Sequence, residues 1–129
     1  MKGRRQARPT KNRPVATLII ENGTGPATAA LLEEAGLEFD TMSAGEGMEG
    51  LLRRRPAVAI VDMDEASSRT TAVLAEASRH SQLSAMVVLG ISSRSSSPVF
   101  SELRRLINLV VDRSETRRLR DLVLILQGR

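Results

Sequence analysis

The sequence predicts an α/β fold in which five parallel strands form one sheet with helices on both faces. Short apolar, β-branched runs alternate with helical patterns over residues 15–129, and repeated strand–helix units lead to parallel pairing with right-handed crossovers. The runs 57–62 and 84–91 are apolar almost throughout, as expected of strands that are covered on both faces. We therefore predict one domain, 15–129, preceded by an arm of residues 1–14.

The first two strand–helix units are predicted from apolar periodicity and from helix-ending residues. Residues 16–20, ATLII, are apolar or β-branched and predict the first strand. The alanine-rich helix 27–36 ends at Gly36, which suits a left-handed C-cap. Residues 37–42 alternate between apolar and polar, which predicts a peripheral strand with one exposed face. A glycine-containing helix, 45–55, follows and ends where the next residue is a proline.

The last three units repeat this pattern. The predicted strands are 57–62, 84–91 and 107–112, and the predicted helices are 67–80, 98–106 and 114–126. Val73, Leu74 and Ala77 are predicted to form the inward face of the third helix. Ser97 and Ser114 precede the fourth and fifth helices and are predicted to be their N-caps.

The composition excludes several kinds of site. The chain of 129 residues has no cysteine, and therefore no disulfide framework, thiolate metal site or thiol nucleophile. No apolar run approaches the ~18 residues of a membrane span, so we predict a soluble, cytoplasmic protein. His80, the single histidine, is predicted to lie far from the acidic strand ends. A Ser-His-Asp set cannot form around it, and we predict no enzyme activity.

The positive charge of the chain is concentrated in its first 13 residues. Six basic residues and no acidic ones occur there, which leaves 13 basic and 15 acidic residues for the rest of the chain. The six are Lys2, Arg4, Arg5, Arg8, Lys11 and Arg13. A polar, basic segment of this kind is predicted to be disordered. It is either a solvated leader or an arm that contacts nucleic acid or an acidic partner.

The candidate functional residues follow the strands. In open α/β sheets, ligands bind outside the carboxyl ends of the strands. The residues predicted at those ends are Glu21, Asn22, Asp62, Asp64, Gly90, Asp112 and Arg113. We expect any chemistry to be drawn from this set.

The stretch LLEEAGLEFDTMSAGEGMEGLLRRRPAVAIVD, residues 31–62, resembles the receiver domains of response regulators. The resemblance extends over residues 15–127 and implies a receiver- or flavodoxin-like sheet with strand order 2-1-3-4-5. It implies that Asp62 is at the phospho-acceptor position. By the same resemblance, the acidic pair of receivers falls on Glu21 and Asn22, and the metal-ligating carbonyl falls on Asp64. The Thr or Ser position of receivers falls on Gly90, and the aromatic switch position falls on Leu109. The Lys-Pro pair of receivers falls on Asp112 and Arg113.

Several of these positions depart from the receiver pattern. Gly90 has no hydroxyl, Asn22 is neutral, and Asp112 would place an anion where receivers have a cation. Phosphoryl transfer depends on charge neutralisation and positioning, so we predict a degenerate receiver, or pseudo-receiver, that acts without phosphorylation. An alternative alignment brings Ser92 or Ser93 to the hydroxyl position.

Three further interpretations stay open or are set aside. The first is a working receiver that accepts phosphate on Asp62 from a histidine kinase. The second is a weak Mg²⁺ site formed by Glu21, Asp62 and the Asp64 carbonyl, since hard cations accept such oxygens. The loop NGTGPAT, 22–28, is similar to the phosphate loop of flavodoxins, but Pro26 removes a donor and no Trp or Tyr is present to flank a flavin. We therefore predict no bound cofactor.

The last two helices carry more apolar residues than docking to the sheet requires. Leu119, Leu122, Val123 and Leu126 form one apolar face of the last helix. Phe100, Leu124 and Ile125 lie off the inward stripes of their helices, which predicts either a broader buried face or an interaction patch. In receivers this region is the usual dimer and partner surface. The resemblance therefore favours a homodimer or a protein partner bound there.

Overall fold

The computed structural model describes residues 15–21, 25–93 and 98–128, which form one parallel five-stranded sheet. The strands are β1 (Ala16–Ile20), β2 (Phe39–Ser43), β3 (Val58–Asp62), β4 (Val87–Ser92) and β5 (Leu109–Asp112). Their order is β2-β1-β3-β4-β5, and every pairing is parallel. The predicted fold class and strand order are confirmed.

Helices cover both faces of this sheet. They are α1 (Pro26–Glu34), α2 (Gly47–Arg54), α3 (Ser68–Ala77), α4 (Pro98–Arg104) and α5 (Thr116–Gln127). Because side chains alternate along a strand, the core has two halves. On one face, Leu32 of α1 and Leu119 of α5 pack with Ile60 of β3. On the other face, Leu51 of α2 and Leu74 of α3 pack against alternate strand residues.

Local sequence signals explain how α1 ends and how α2 begins. Gly36 has φ +78 just after α1, and the amide of Leu37 donates to the carbonyl of Leu32 at 3.1 Å, as in a left-handed C-cap. The second helical region begins with a short 3-10 turn over Ala44–Glu46. A reciprocal capping box between Ser43 and Glu46 closes that turn.

The start of α5 differs from the prediction. Ser114 does not cap the helix, because α5 begins at Thr116 and its N-cap residue is Glu115, which makes no side-chain cap hydrogen bond. The amide and hydroxyl of Ser114 instead donate to Asp112 Oδ1 at 2.9 and 2.7 Å. This short side-chain bond turns the chain inside the β5–α5 loop. The other predicted cap, Ser97, lies outside the described residues.

The region around β4 also differs from the prediction. A 3-10 turn over Ser81–Leu83 precedes the strand, so β4 begins at Val87 and not at residue 84. It also extends one residue further, to Ser92, which pairs with Asp112 of β5. The strand is therefore displaced towards the carboxyl end of the sheet, which brings Ser92 to the strand ends.

Gly90 leaves room for a neighbouring methionine. It lies inside β4, opposite Val61 of β3. A Cβ atom at position 90 would lie 2.5 Å from Sδ and 2.9 Å from Cγ of Met63, whose side chain is buried. The residue that follows Asp62 thus fills the volume that a side chain at position 90 would take.

Gly90→Ala should therefore lower the free energy of unfolding, by about 1–3 kcal/mol, because overpacking displaces Met63. Chemical denaturation of Gly90→Ala, Met63→Ala and the double variant would measure the coupling. The alanine at position 90 should cost little once Met63 is truncated. Gly45→Ala is the control, since a Cβ there would meet nothing closer than 3.4 Å. Equal costs of Gly90→Ala with and without Met63 would contradict this packing.

Candidate functional site

The carboxyl ends of β3, β4 and β5 bring polar side chains together at one edge of the sheet. Asp62 is the last residue of β3, lies beside Ile91 of β4 and is only 7% exposed. Ser92 and Asp112 pair one step further along. The parallel register therefore places the turns after all three strands around the Asp62 carboxylate.

Both oxygens of the Asp62 carboxylate accept hydrogen bonds from the protein. Oδ2 accepts from the hydroxyl of Thr28 in α1 at 2.5 Å. Oδ1 accepts from Nη2 of Arg113 at 2.6 Å and from the amide of Asp64 at 3.0 Å. A buried carboxylate needs such partners because burial disfavours its charged form.

Asp64 takes part through its side chain. Its Oδ2 accepts from Nη2 of Arg113 at 3.0 Å, and from the amide and hydroxyl of Ser93 at 3.0 and 2.7 Å. Burial acts to raise the pKa of Asp64, but the hydrogen bonds from Ser93 and Arg113 outweigh it and hold that pKa below its ordinary value. Asp64 therefore stays ionised and binds the turn after β4 to the turn after β3.

Arg113 supplies positive charge to both carboxylates. The hydrogen bond to Asp62 is the largest cause of its raised pKa; burial opposes the rise, and Asp64 adds to it. Its backbone amide also donates to the carbonyl of Ser92 at 3.0 Å, which fixes the direction from which the side chain enters. The side chain of Arg113 is 30% exposed, so the ion pairs are partly screened by solvent.

We expected Asp112 to place an anion near Asp62 where receivers have a cation, but the structure places a cation, Arg113, beside Asp62. The Asp112 carboxylate accepts hydrogen bonds from Ser114 within its own turn. The next residue, Arg113, makes the ion pair with Asp62. Consecutive residues at a strand end project in different directions, and the Ser114 contact fixes which of the two faces Asp62.

Glu21, the acidic residue after β1, contacts the beginning of α3. Its carboxylate accepts from the amide of Ser67 at 3.3 Å and from the hydroxyl of Thr70. Burial acts to raise its pKa, but the hydrogen bonds from Thr70 and Ser67 lower it below the ordinary value. Its predicted companion, Asn22, lies outside the described residues.

The described carboxylates at the strand ends are hydrogen-bonded to protein groups. Within 15–21, 25–93 and 98–128, no three His, Cys, Asp or Glu side chains are grouped so that they could hold one. The oxygens of Asp62 and Asp64 that face each other share the guanidinium of Arg113. Glu21 is held by Ser67 and Thr70. The carboxylates therefore use protein donors.

Position 90, which aligns with the Thr or Ser of receivers, carries no hydroxyl, but neighbouring residues do. Gly90 lies one pairing step before Asp62, opposite Val61, while the buried Ser92 ends the strand. The alternative alignment through Ser92 or Ser93 thus places hydroxyl-bearing residues at the strand ends. Thr28 was not among the predicted site residues. Its place in the stretch NGTGPAT, just after the first strand in the sequence, is the one signal that could have indicated it.

The predicted interaction patch is partly visible. Leu124 and Ile125 of α5 are 47% and 63% exposed, and Leu109 of β5 is 37% exposed, whereas Leu119 and Val123 are buried against the sheet. The broader buried face is therefore excluded for Leu124 and Ile125. The side chain of Phe100 and the six basic residues of the arm lie outside the described residues.

Two shallow hollows lie away from these polar groups. One, of about 340 Å³, is lined by residues such as Leu83 and Asn108. The other, of about 440 Å³, is lined by residues such as Pro56 and Leu126. Both are near the amino ends of the strands, opposite Asp62.

No helix in the described part of the chain is both long and apolar enough to span a membrane.

Comparison with known proteins gives matches in structure alone. No protein-family model and no curated protein matches the chain. The Mn²⁺-bound form of the response regulator Rcp1 is 19% identical, with a TM-score of 0.55 over 89% of this chain and 91% of that one. A protein of Chloroflexus aurantiacus J-10-fl, described as a response regulator, is 16% identical, with a TM-score of 0.66 over 91% and 100%.

A third similar structure is the signal receiver domain of the DNA-binding response regulator merR from Colwellia psychrerythraea 34H. It is 14% identical, with a TM-score of 0.62 over 89% of this chain and 99% of that one. At such identities the similarity concerns the fold. The chain therefore has the fold of response-regulator receiver domains, with strand order 2-1-3-4-5.

Proposed function

We propose that this protein is a pseudo-receiver, a non-catalytic module that binds another protein in bacterial signalling without being phosphorylated. The observation that carries the proposal is the state of Asp62, the residue at the acceptor position. Thr28 and Arg113 hold its two oxygens. To accept a phosphoryl group, the carboxylate would have to give up one of these bonds.

The energetic cost of freeing Asp62 supports this proposal. A buried carboxylate that loses one partner of its ion pair is typically destabilised by about 3–5 kcal/mol. The partial exposure of Arg113 places the pair towards the lower end of that range. Met63 also limits rearrangement next to Asp62, because its side chain fills the space beside Gly90.

Incubation of the whole chain with acetyl phosphate and Mg²⁺, followed by intact-mass measurement, tests this proposal. We expect the mass to stay unchanged, because the Asp62 oxygens are held by hydrogen bonds and the described carboxylates do not form a metal site. A phosphorylatable receiver treated in the same mixture is the positive control. A stable gain of one phosphoryl group that disappears in Asp62→Asn would reverse the proposal.

The alternative, a working receiver that takes phosphate from a histidine kinase, has two observations in its favour. Arg113 brings positive charge to Asp62, and Ser92 brings a buried hydroxyl to the end of β4. Both kinds of group stabilise a transferring phosphoryl group. The acetyl phosphate experiment separates this alternative from the main proposal.

We further propose that α5 carries the binding surface. Leu119 and Val123 already attach the helix to the sheet, so Leu124 and Ile125 are available outside that contact. Exposed aliphatic side chains gain free energy when a partner removes them from water. Phe100 of the preceding helix is included in this surface as a prediction from the sequence. The partner is a second copy of the chain or another protein.

The double variant Leu124→Glu, Ile125→Glu should therefore lower the mass measured by multi-angle light scattering, or abolish capture of the partner. Two charges in a desolvated apolar contact should weaken binding by at least about 100-fold. Arg120→Glu is the matched control, because it changes an exposed residue of the same helix. Unchanged mass together with unchanged partner capture in the double variant would remove this surface from the proposal.

The basic arm supports a separate nucleic-acid hypothesis. Six positive charges and no negative ones within 13 residues would attract phosphates and release counterions, so binding should weaken steeply with salt. Deletion of residues 1–13 should abolish it, as a fluorescence anisotropy titration at two salt concentrations would show. Salt-insensitive binding that survives the deletion would refute a role for the arm.

A further inference from the structure

We propose that Arg113 is the resident cation of this site and takes the place of a divalent metal ion. This inference goes beyond the proposed function, because it concerns what neutralises the site and holds whether or not Asp62 accepts phosphate. One atom, Nη2, lies 2.6 Å from Asp62 Oδ1 and 3.0 Å from Asp64 Oδ2. A single positive group therefore bridges two carboxylates from the same turn.

The surrounding hydrogen bonds fix this bridge in place. The amide of Asp64 donates to the same oxygen of Asp62 that contacts Arg113, and Ser93 donates twice to the Asp64 oxygen that contacts Arg113. The backbone of Arg113 is bonded to Ser92. The turns after β3, β4 and β5 are thus tied together by these hydrogen bonds.

The charge balance explains why the bridge excludes a metal ion. Arg113 brings one positive charge to two carboxylates, Asp62 and Asp64. A divalent ion between the same oxygens would have to displace the guanidinium or stand beside a positive charge, which repels it. Removal of Arg113 would leave two neighbouring carboxylates and an open space between them, which suits a hard cation.

Mn²⁺ titration of the full chain, followed by electron paramagnetic resonance of the free ion, tests the inference. The wild-type protein should bind Mn²⁺ weakly or not at all. Arg113→Gln and Arg113→Ala should bind it at least about tenfold more tightly, because the repelling charge is gone. Arg113→Lys should resemble the wild type, since it keeps the charge. Arg118→Gln, which removes an exposed arginine of α5, should leave Mn²⁺ binding unchanged.

Specificity is checked with Asp62→Asn in the Arg113→Gln background, which should abolish the gained binding. Thermal unfolding adds a second readout: Mn²⁺ should raise the Tm of Arg113→Gln and not that of the wild type. Wild-type binding as tight as that of Arg113→Gln would overturn the inference, as would a gain that persists after Asp62→Asn. If both Arg113 variants fail to fold, the wild-type protein is titrated with Mn²⁺ and its amide signals are followed by NMR. Broadening of the signals of residues 62–64 would overturn the inference, and unchanged signals would support it.

A gain of mass with acetyl phosphate that is equally large without Mg²⁺ would overturn the phosphorylation-independent function and leave this inference standing. Mn²⁺ binding by the wild-type chain without any gain of mass would do the reverse. The two experiments therefore fail independently.

Discussion

A carboxylate that is only 7% exposed at the end of a fully buried strand is the constraint around which the polar edge of this protein is organised. Burial makes an unpaired Asp62 costly, and the structure meets the cost with Thr28 from α1 and Arg113 from the β5–α5 turn. These partners come from opposite ends of the chain. The end of β3 is thus a junction between separate elements.

The same edge of the sheet combines dense packing with internal charge pairing. β3 and β4 pair in parallel and carry buried aliphatic side chains. At Gly90, the space of a side chain is filled by Met63, so the packing remains dense even though no side chain is present at that position. The positive charge beside Asp62 is carried by Arg113. Packing and charge neutralisation at this edge thus come from different residues.

The structure of α5 distinguishes the apolar residues that pack on the sheet from those that are exposed, which the apolar pattern of the sequence does not do. Leu119 and Val123 are completely or almost completely buried and hold the helix on the sheet. Leu124 and Ile125 follow directly in the chain but are exposed. An exposed apolar pair beside a well-buried stripe is not needed to hold the helix on the sheet. The polar groups around Asp62 and this exposed pair lie on different elements.

The sequence by itself determined the fold class, the strand order through its resemblance to receivers, and the positions of most strands and helices. Apolar periodicity is a local property that survives in any single sequence, and Gly36 marked the end of its helix for the same reason. The sequence could also place Asp62, Asp64 and Arg113 near one another, because parallel strands end at a common edge.

Only the tertiary structure decided which of two adjacent residues, Asp112 or Arg113, meets Asp62. That choice depends on the pairing of Ser92 with Asp112 and on the Ser114 bond in the turn. Sequence spacing gives the distance along the chain, but the direction of a side chain is set by register and by the turn, and these exist only once the sheet has formed.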